Sequence, residues 1–249
     1  QMEAGPERFR RQEQQTHEKS EPEALPEALL RPAPPPPRLP RPLSPSGAGI
    51  EIDDEDGDLM LNSPLFGKGE DAGLALQRGR LVHRMLQMLP GLPSDEREAA
   101  ARRYGERAAR FWPAGAREKL VTQVLAVLDH PALTTVFSAH AQAELSLMGT
   151  MRLGGEERSV SARVDRMAVT DEKVILLDYK TNRQPPRRES DVPLSHSAQL
   201  AIYRELLMSL YPDRPIECLL VYTEGPHVVA LTEETLSHAL QALQPVQKD

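Results

Sequence analysis

Apolar side chains at Leu81, Val82, Met85, Leu86 and Leu89 recur at helical spacing and predict a helix over about 74–89, stopped by Pro90-Gly91. A second helix is expected over about 95–112, opened by Ser94. A third is expected over about 117–128, with Leu120, Val121, Val124, Leu125 and Leu128 on one face. Pro131 starts a further turn reaching Phe137. The period then changes from helical to alternating. Strands are expected over 144–148, 159–169 and 173–180, with a turn at Gly154-Gly155 and an end at Pro185-Pro186. A helix over about 195–211, a strand over 216–223, a turn at Glu224-Gly225, a short return over 227–231 and a helix over 232–243 complete the chain. Helices before three strands, then helix, strand and helix, predict an α/β sandwich around a mixed sheet.

Composition changes the picture mainly at the front of the chain. Of the 23 prolines, Pro34 to Pro37 and seven others precede residue 50, and Phe9 is the only aromatic before Phe66. Such a segment cannot bury enough apolar surface to offset its chain entropy, so residues 1–73 are expected to be a largely disordered, Pro-rich acidic tether. Residues 74–249 are expected to form the folded domain. The formal charge of −7 arises wholly before Ala75, in part from the run Glu51 to Asp56, which reads as a solvated linker. From Ala75 onward acids and bases balance.

Several classes fall away. No stretch has the roughly 18 consecutive apolar residues of a membrane span. Gln1 to Arg11 lacks the apolar core of a secretory signal. With Cys218 alone, neither a disulfide framework nor a cysteine-ligated metal cluster can be built from this chain, and a reducing, cytoplasmic setting is expected. Gly67-Lys68-Gly69 does not make a phosphate-binding loop. The missing motor motifs and the start at Gln1 lead us to expect a piece of a longer polypeptide.

The candidate chemistry lies in the second and third strands. Alternation puts Val174, Leu176, Asp178 and Lys180 on one face, and Ile175, Leu177 and Tyr179 on the other. A two-residue loop at Asp171-Glu172 and a symmetric four-residue loop give the same register, which sets Asp165 opposite Asp178. Two bare carboxylates so placed repel, and need a positive charge between them. Two readings follow. One is a surface hairpin whose acids pair with Arg163, Arg166 and Lys173. The other is a Mg2+ site, in which the ion polarises a phosphoryl oxygen and Lys180 stabilises developing charge. Asp178 closing the apolar run from Val174 to Leu177 favours the site.

At this point the sequence resembles a family. Asp165, then Asp178-Tyr179-Lys180 after a gap of twelve, resembles the PD-(D/E)XK nuclease signature. Gln199 to Tyr203 is similar to the Q-x-x-x-Y helix motif of its RecB-like branch, and Gly79 to His83 to that branch's leading histidine motif. The context from Asp178 to Arg183, with Leu219 to Gly225 downstream, is most similar to the C-terminal nuclease domains of AddA-type helicase–nuclease subunits. Val164 stands where the signature's name has proline. The resemblance covers about residues 74–243. It implies a restriction-endonuclease-like core with a mixed central sheet flanked by helices, to which periodicity and composition add extra N-terminal helices and a disordered N-terminal arm. It further implies that His83, Asp165, Asp178 and the Tyr179 carbonyl hold Mg2+, with Mn2+ as an alternative. Lys180 would be the catalytic lysine, Gln199 and Tyr203 would line the site, and Glu144 would be an accessory acid.

On spacing alone, Gln199 and Tyr203 share a helix face, and His83 lies at the edge of its helix's buried stripe. His196, His227 and His238 show no ligand spacing and read as structural. Arg80, Arg84, Arg183, Arg187 and Arg188 offer a DNA path, while Arg102 reads as a surface partner of Glu98. The function expected is a Mg-dependent deoxyribonuclease of a helicase–nuclease complex. It would cut single strands during double-strand break repair, beside an upstream helicase region and an AddB-like second subunit. The competing expectation is a catalytically silent nuclease-fold domain acting as an interaction module in a repair complex. Stand-alone exonucleases of the same branch carry a four-cysteine cluster that this chain lacks.

Overall fold

The computed structural model describes residues 43–45, 70–138, 141–153, 155–181 and 184–243. The Pro-rich segment apart from Leu43 to Pro45, the acidic run Glu51 to Asp56 and Arg183 lie outside the described residues. Five strands form one sheet in sequence order: β1 (Ala141–Leu153), β2 (Glu156–Val169), β3 (Val174–Lys180), β4 (Ile216–Tyr222) and β5 (His227–Leu231). The β3–β4 pair is parallel and the other three pairs are antiparallel. Helices α1 (Glu70–Met88), α2 (Ser94–Ala108) and α3 (Ala114–Leu128) precede the sheet, α4 (Leu194–Met208) joins β3 to β4, and α5 (Glu233–Ala242) ends it. This is the mixed α/β arrangement that the pattern predicts, and it is consistent with the restriction-endonuclease-like core that the resemblance implies.

Each element has a local cause. Parallel pairing of β3 with β4 needs a crossover, which α4 supplies. Because helices cover both faces, six of the seven β3 residues are buried, and its composition, Val-Ile-Leu-Leu ahead of Asp178, suits burial on both sides. Val174 and Leu176 pack with Leu200, Ile202 and Leu220 on the α4–α5 side. Ile175, Leu177 and Tyr179 pack with Val82, Met85 and Val124 on the α1–α3 side. The expected division of β3 into two faces therefore holds. A fully buried leucine such as Leu176 contributes about 1.5–3 kcal/mol.

Several boundaries differ from expectation, among them the end of α2 at Ala108, the starts of α3 at Ala114 and β2 at Glu156, and the end of α4 at Met208. Helix α1 begins at Glu70, four residues early. Ser94 is not a cap: Pro93 precedes α2, no side chain caps it, and Arg97 instead donates from Nε to the Leu92 carbonyl (3.1 Å). β1 runs to 13 residues rather than five because long-range pairing with β2 extends it past its alternating apolar core. The α5 cap is Thr232, whose Oγ1 accepts the Thr235 N–H (3.3 Å).

One piece of the leading segment joins the sheet. Leu43 N donates to the Ser159 carbonyl (2.8 Å) and Ser161 N to the Leu43 carbonyl (3.0 Å), a parallel bridge along β2. Leu43 packs against the α4-side core, and Pro45 is buried. A largely disordered tether was expected over residues 1–73, and within it cross-strand pairing gives Leu43 a place beside β2.

Candidate active site

The β2–β3 hairpin has the predicted register, with Val169 opposite Val174 and Arg166 opposite Leu177. Its loop is closed by the Thr170 N–H on the Lys173 carbonyl (2.9 Å). One rung further the ladder opens. Asp165 does not simply pair with Asp178. Its Oδ2 accepts the Tyr179 N–H (2.7 Å), and its Oδ1 lies 3.3 Å from His83 Nδ1 on α1. His83 also meets the Tyr179 ring edge-on, centroids 5.6 Å apart.

Asp178 is buried on the α4 side. Gln199 Nε2 donates to its Oδ1 (3.0 Å), and Lys180 Nζ sits 2.8 Å from its Oδ2. That ammonium faces Oδ2, a buried oxygen, as an ion pair. Lys180 donates to Gln199 Oε1 (2.6 Å). Gln199 Nε2 also reaches the Tyr203 hydroxyl (2.8 Å), which donates to the Arg163 carbonyl (2.9 Å). A single amide, one helical turn from its tyrosine, thus sets the positions of both an acid and a lysine on β3.

The two halves of the site feel each other. Burial raises the Asp178 carboxyl; the Lys180 ammonium opposes this and the Asp165 charge adds to it. Burial pulls the His83 imidazole down, yet its hydrogen bond with Asp165 and the charges of Asp165 and Asp178 outweigh burial and leave it raised. His196, one turn before Gln199 on α4, is driven down to about 3 by burial and by the charge of Lys180. Its Nδ1 lies 2.9 Å from the Tyr222 hydroxyl.

The surface-hairpin reading does not hold. Arg166 is buried on the α1 side, donating to the Leu86 carbonyl (2.8 Å) and the Val136 carbonyl (3.3 Å). Lys173 pairs with Glu217 (2.6 Å), and Arg163 lies 3.5 Å from Glu144. None of the three neutralises Asp165 or Asp178. Glu144 reaches the largely exposed Arg163 instead of the carboxylates, and its backbone is left-handed, φ 56°.

Among the basic residues, Arg80, Arg84, Arg187 and Arg188 are exposed, and Arg84 bonds Gln87. Arg102 does pair with Glu98 (2.9 Å), and also with Glu118.

Sequence reasoning missed a clamp at the end of β3. Arg78 on α1 pairs with Glu224 and donates to the Thr181 carbonyl (3.1 Å). Thr223 N donates to the Lys180 carbonyl (2.9 Å), while Gln123 on α3 donates to Thr223 Oγ1 (2.8 Å). The signal available was the polar run Thr223-Glu224 directly after a buried strand.

A divalent ion suits this donor set in one respect: the buried Asp178 carboxylate feels the charge of a second carboxylate, Asp165, and both are hard oxygen donors. The donors do not converge as they stand. Among the described residues no group of three or more His, Cys, Asp or Glu side chains is arranged to hold a metal. His83 and Asp165 engage each other, and Lys180 and Gln199 engage Asp178, so an ion would replace part of these contacts. No helix among the described residues is long and apolar enough to cross a membrane.

No curated protein matches the chain. Among solved structures it is similar to one titled "Crystal structure of SSO0001", at 16% identity, covering 71% of this chain and 87% of that one, with a TM-score of 0.30. The family model described as "PD-(D/E)XK nuclease superfamily" matches residues 60–248. With most of its length matched in this way, the chain belongs to the PD-(D/E)XK nuclease superfamily.

Proposed function

We propose that residues 74–249 form a Mg-dependent DNA nuclease domain that cuts single strands delivered by a helicase during double-strand break repair. Superfamily membership supports nuclease-type chemistry on DNA. The finer reading draws on the likeness of Asp178 to Arg183 and Leu219 to Gly225 to AddA-type nuclease domains. On that likeness, the motor belongs to the same polypeptide and an AddB-like subunit is the partner. The observation that carries the reading is Gln199 holding Lys180 and Asp178 together at the end of a buried strand, with Asp165 and His83 one rung away.

In this reading Asp165, Asp178, the Tyr179 carbonyl and His83 hold Mg2+, with Mn2+ as an alternative. When bound, the ion supplies Lewis-acid polarisation of a phosphoryl oxygen and a more acidic water. The chain's own groups do the rest. Gln199 Oε1 fixes the Lys180 ammonium, a proton-bearing cation placed to meet charge developing on the phosphate. Tyr203 anchors that amide to the β2 backbone, which keeps Lys180 beside Asp178. Arg80, Arg84, Arg187 and Arg188, with Arg183 following the catalytic strand in sequence, offer phosphate contacts, and affinity then falls with salt.

Incubating the purified protein, or its full complex, with labelled single-stranded DNA and Mg2+ tests the assignment. Wild type is expected to degrade the strand and Asp178→Ala to lose at least about 1,000-fold in rate. Equal degradation by the two rejects it.

A second reading, a silent nuclease-fold interaction module in a repair complex, is favoured by the mutual engagement of the acidic and basic donors. Calorimetric titration with Mg2+ or Mn2+ separates the two, because tight uptake abolished by Asp178→Ala counts against a silent domain.

A further inference from the structure

We propose that Glu144 is a positioning residue: its left-handed backbone, not its carboxylate, turns Asp165 out of the β1–β2 ladder toward Tyr179 and His83. The inference rests on the role assigned to Asp165 above. In an unbroken strand, residues of one parity share a face. β1 breaks this rule, since Ala141 packs with the α1-side core whereas Leu145, Leu147, Met151 and Leu153 pack on the α4 side. β2 breaks it too. Val160, Ala162 and Val164 face α4, but so does Met167, while Ala168 faces α1.

The register does not slip. Ala143 pairs with Arg166 and Leu145 with Val164, so both strands exchange faces at the single rung that holds Glu144 and Asp165. Among the described residues Glu144 alone, apart from glycines, has a positive φ, 56°. A side chain disfavours that conformation. The break has two consequences: Asp165 meets the Tyr179 N–H and His83, and Arg166 is seated on the α1 side, where it bonds the Leu86 carbonyl. Meanwhile the Glu144 carboxylate lies 3.5 Å from Arg163.

The test separates backbone from carboxylate. Glycine and asparagine accept a left-handed backbone, and a β-branched residue does not. Cleavage of labelled single-stranded DNA with Mg2+ is expected to stay within about twofold of wild type for Glu144→Gly and Glu144→Asn. For Glu144→Val, kcat is expected to fall about 30-fold or more at unchanged KM, as expected when a reacting group is displaced. Glu144→Gly should also raise the melting temperature by about 2–4 °C, a readout independent of activity. Loss of activity in Gly and Asn as deep as in Val makes the carboxylate the working part and overturns the proposal, as does a Val variant equal to wild type. Should Val fail to fold, Gly and Asn decide alone. If Asp178→Ala cleaves like wild type, the nuclease reading has failed. The melting temperatures then decide: Gly above and Val below wild type supports the backbone role, and no difference overturns it.

Discussion

The two sides of the sheet treat their polar residues differently. On the α4 side, Asp178, Lys180, Gln199 and Tyr203 bond one another through their side chains, and Tyr203 ties the set to the Arg163 carbonyl. On the α1 side the buried Arg166 is spent on main-chain carbonyls, Leu86 near the end of α1 and Val136, and lies 5.1 Å over the Phe137 ring. Near the end of α1 that guanidinium meets carbonyls without a helical partner and the negative end of the helix dipole, which is how a buried charge is tolerated without a carboxylate beside it. The contrast teaches that burial of charge has two uses here. Around Asp178 buried polar groups orient one another, and around Arg166 a buried charge fastens a helix.

This division can be broken by substitution. Gln199→Ala should cut the rate of DNA cleavage by roughly 10–100-fold, because Lys180 and Asp178 both lose their shared partner, with turnover of labelled single strand as the measurement. Arg166→Met should leave cleavage within about threefold yet cost about 1–3 kcal/mol of stability in urea melts, since two buried carbonyls lose their donor. If Arg166→Met instead abolished cleavage and left stability unchanged, the assignment of the two sides would be reversed.

The smallest effect is a pH slope. His196 is held neutral, so the unfolded chain takes a proton near pH 6.5 while the folded one resists until about 3. Its contribution is therefore fully present above 6.5 and is lost as pH falls toward 3. The slope is at most ~1.4 kcal/mol per pH unit, the value for one proton. Replacing His196 with Gln should flatten stability between pH 7 and 5. A slope identical to wild type would show that His196 does not carry it.

Much of the fold was legible because it obeys short-range rules. β3 announces itself as an apolar run that ends in charge, and the Thr170–Lys173 closure fixes its register. Gln199 and Tyr203 share a helix face by spacing, but only the resemblance to the Q-x-x-x-Y motif marks them as site residues, since a polar helix residue normally faces solvent. Other features depend on partners far away in the chain. Arg166 reads as a solvated hairpin base because nothing nearby in sequence reveals the carbonyls of Leu86 and Val136. Glu144 gives no sign of a left-handed backbone, since glutamate is not a residue that favours one. The Arg78–Glu224 clamp spans 146 positions, beyond the reach of any periodicity.

The short bridge made by Leu43 has a practical outcome. A shortened protein beginning at Glu70 would leave the Ser159 carbonyl and Ser161 N–H bare along β2 and uncover the apolar surface under Leu43. Such an open margin invites strand addition between molecules, so preparations that retain residues from about 40 onward should stay monodisperse at concentrations where the shorter form self-associates.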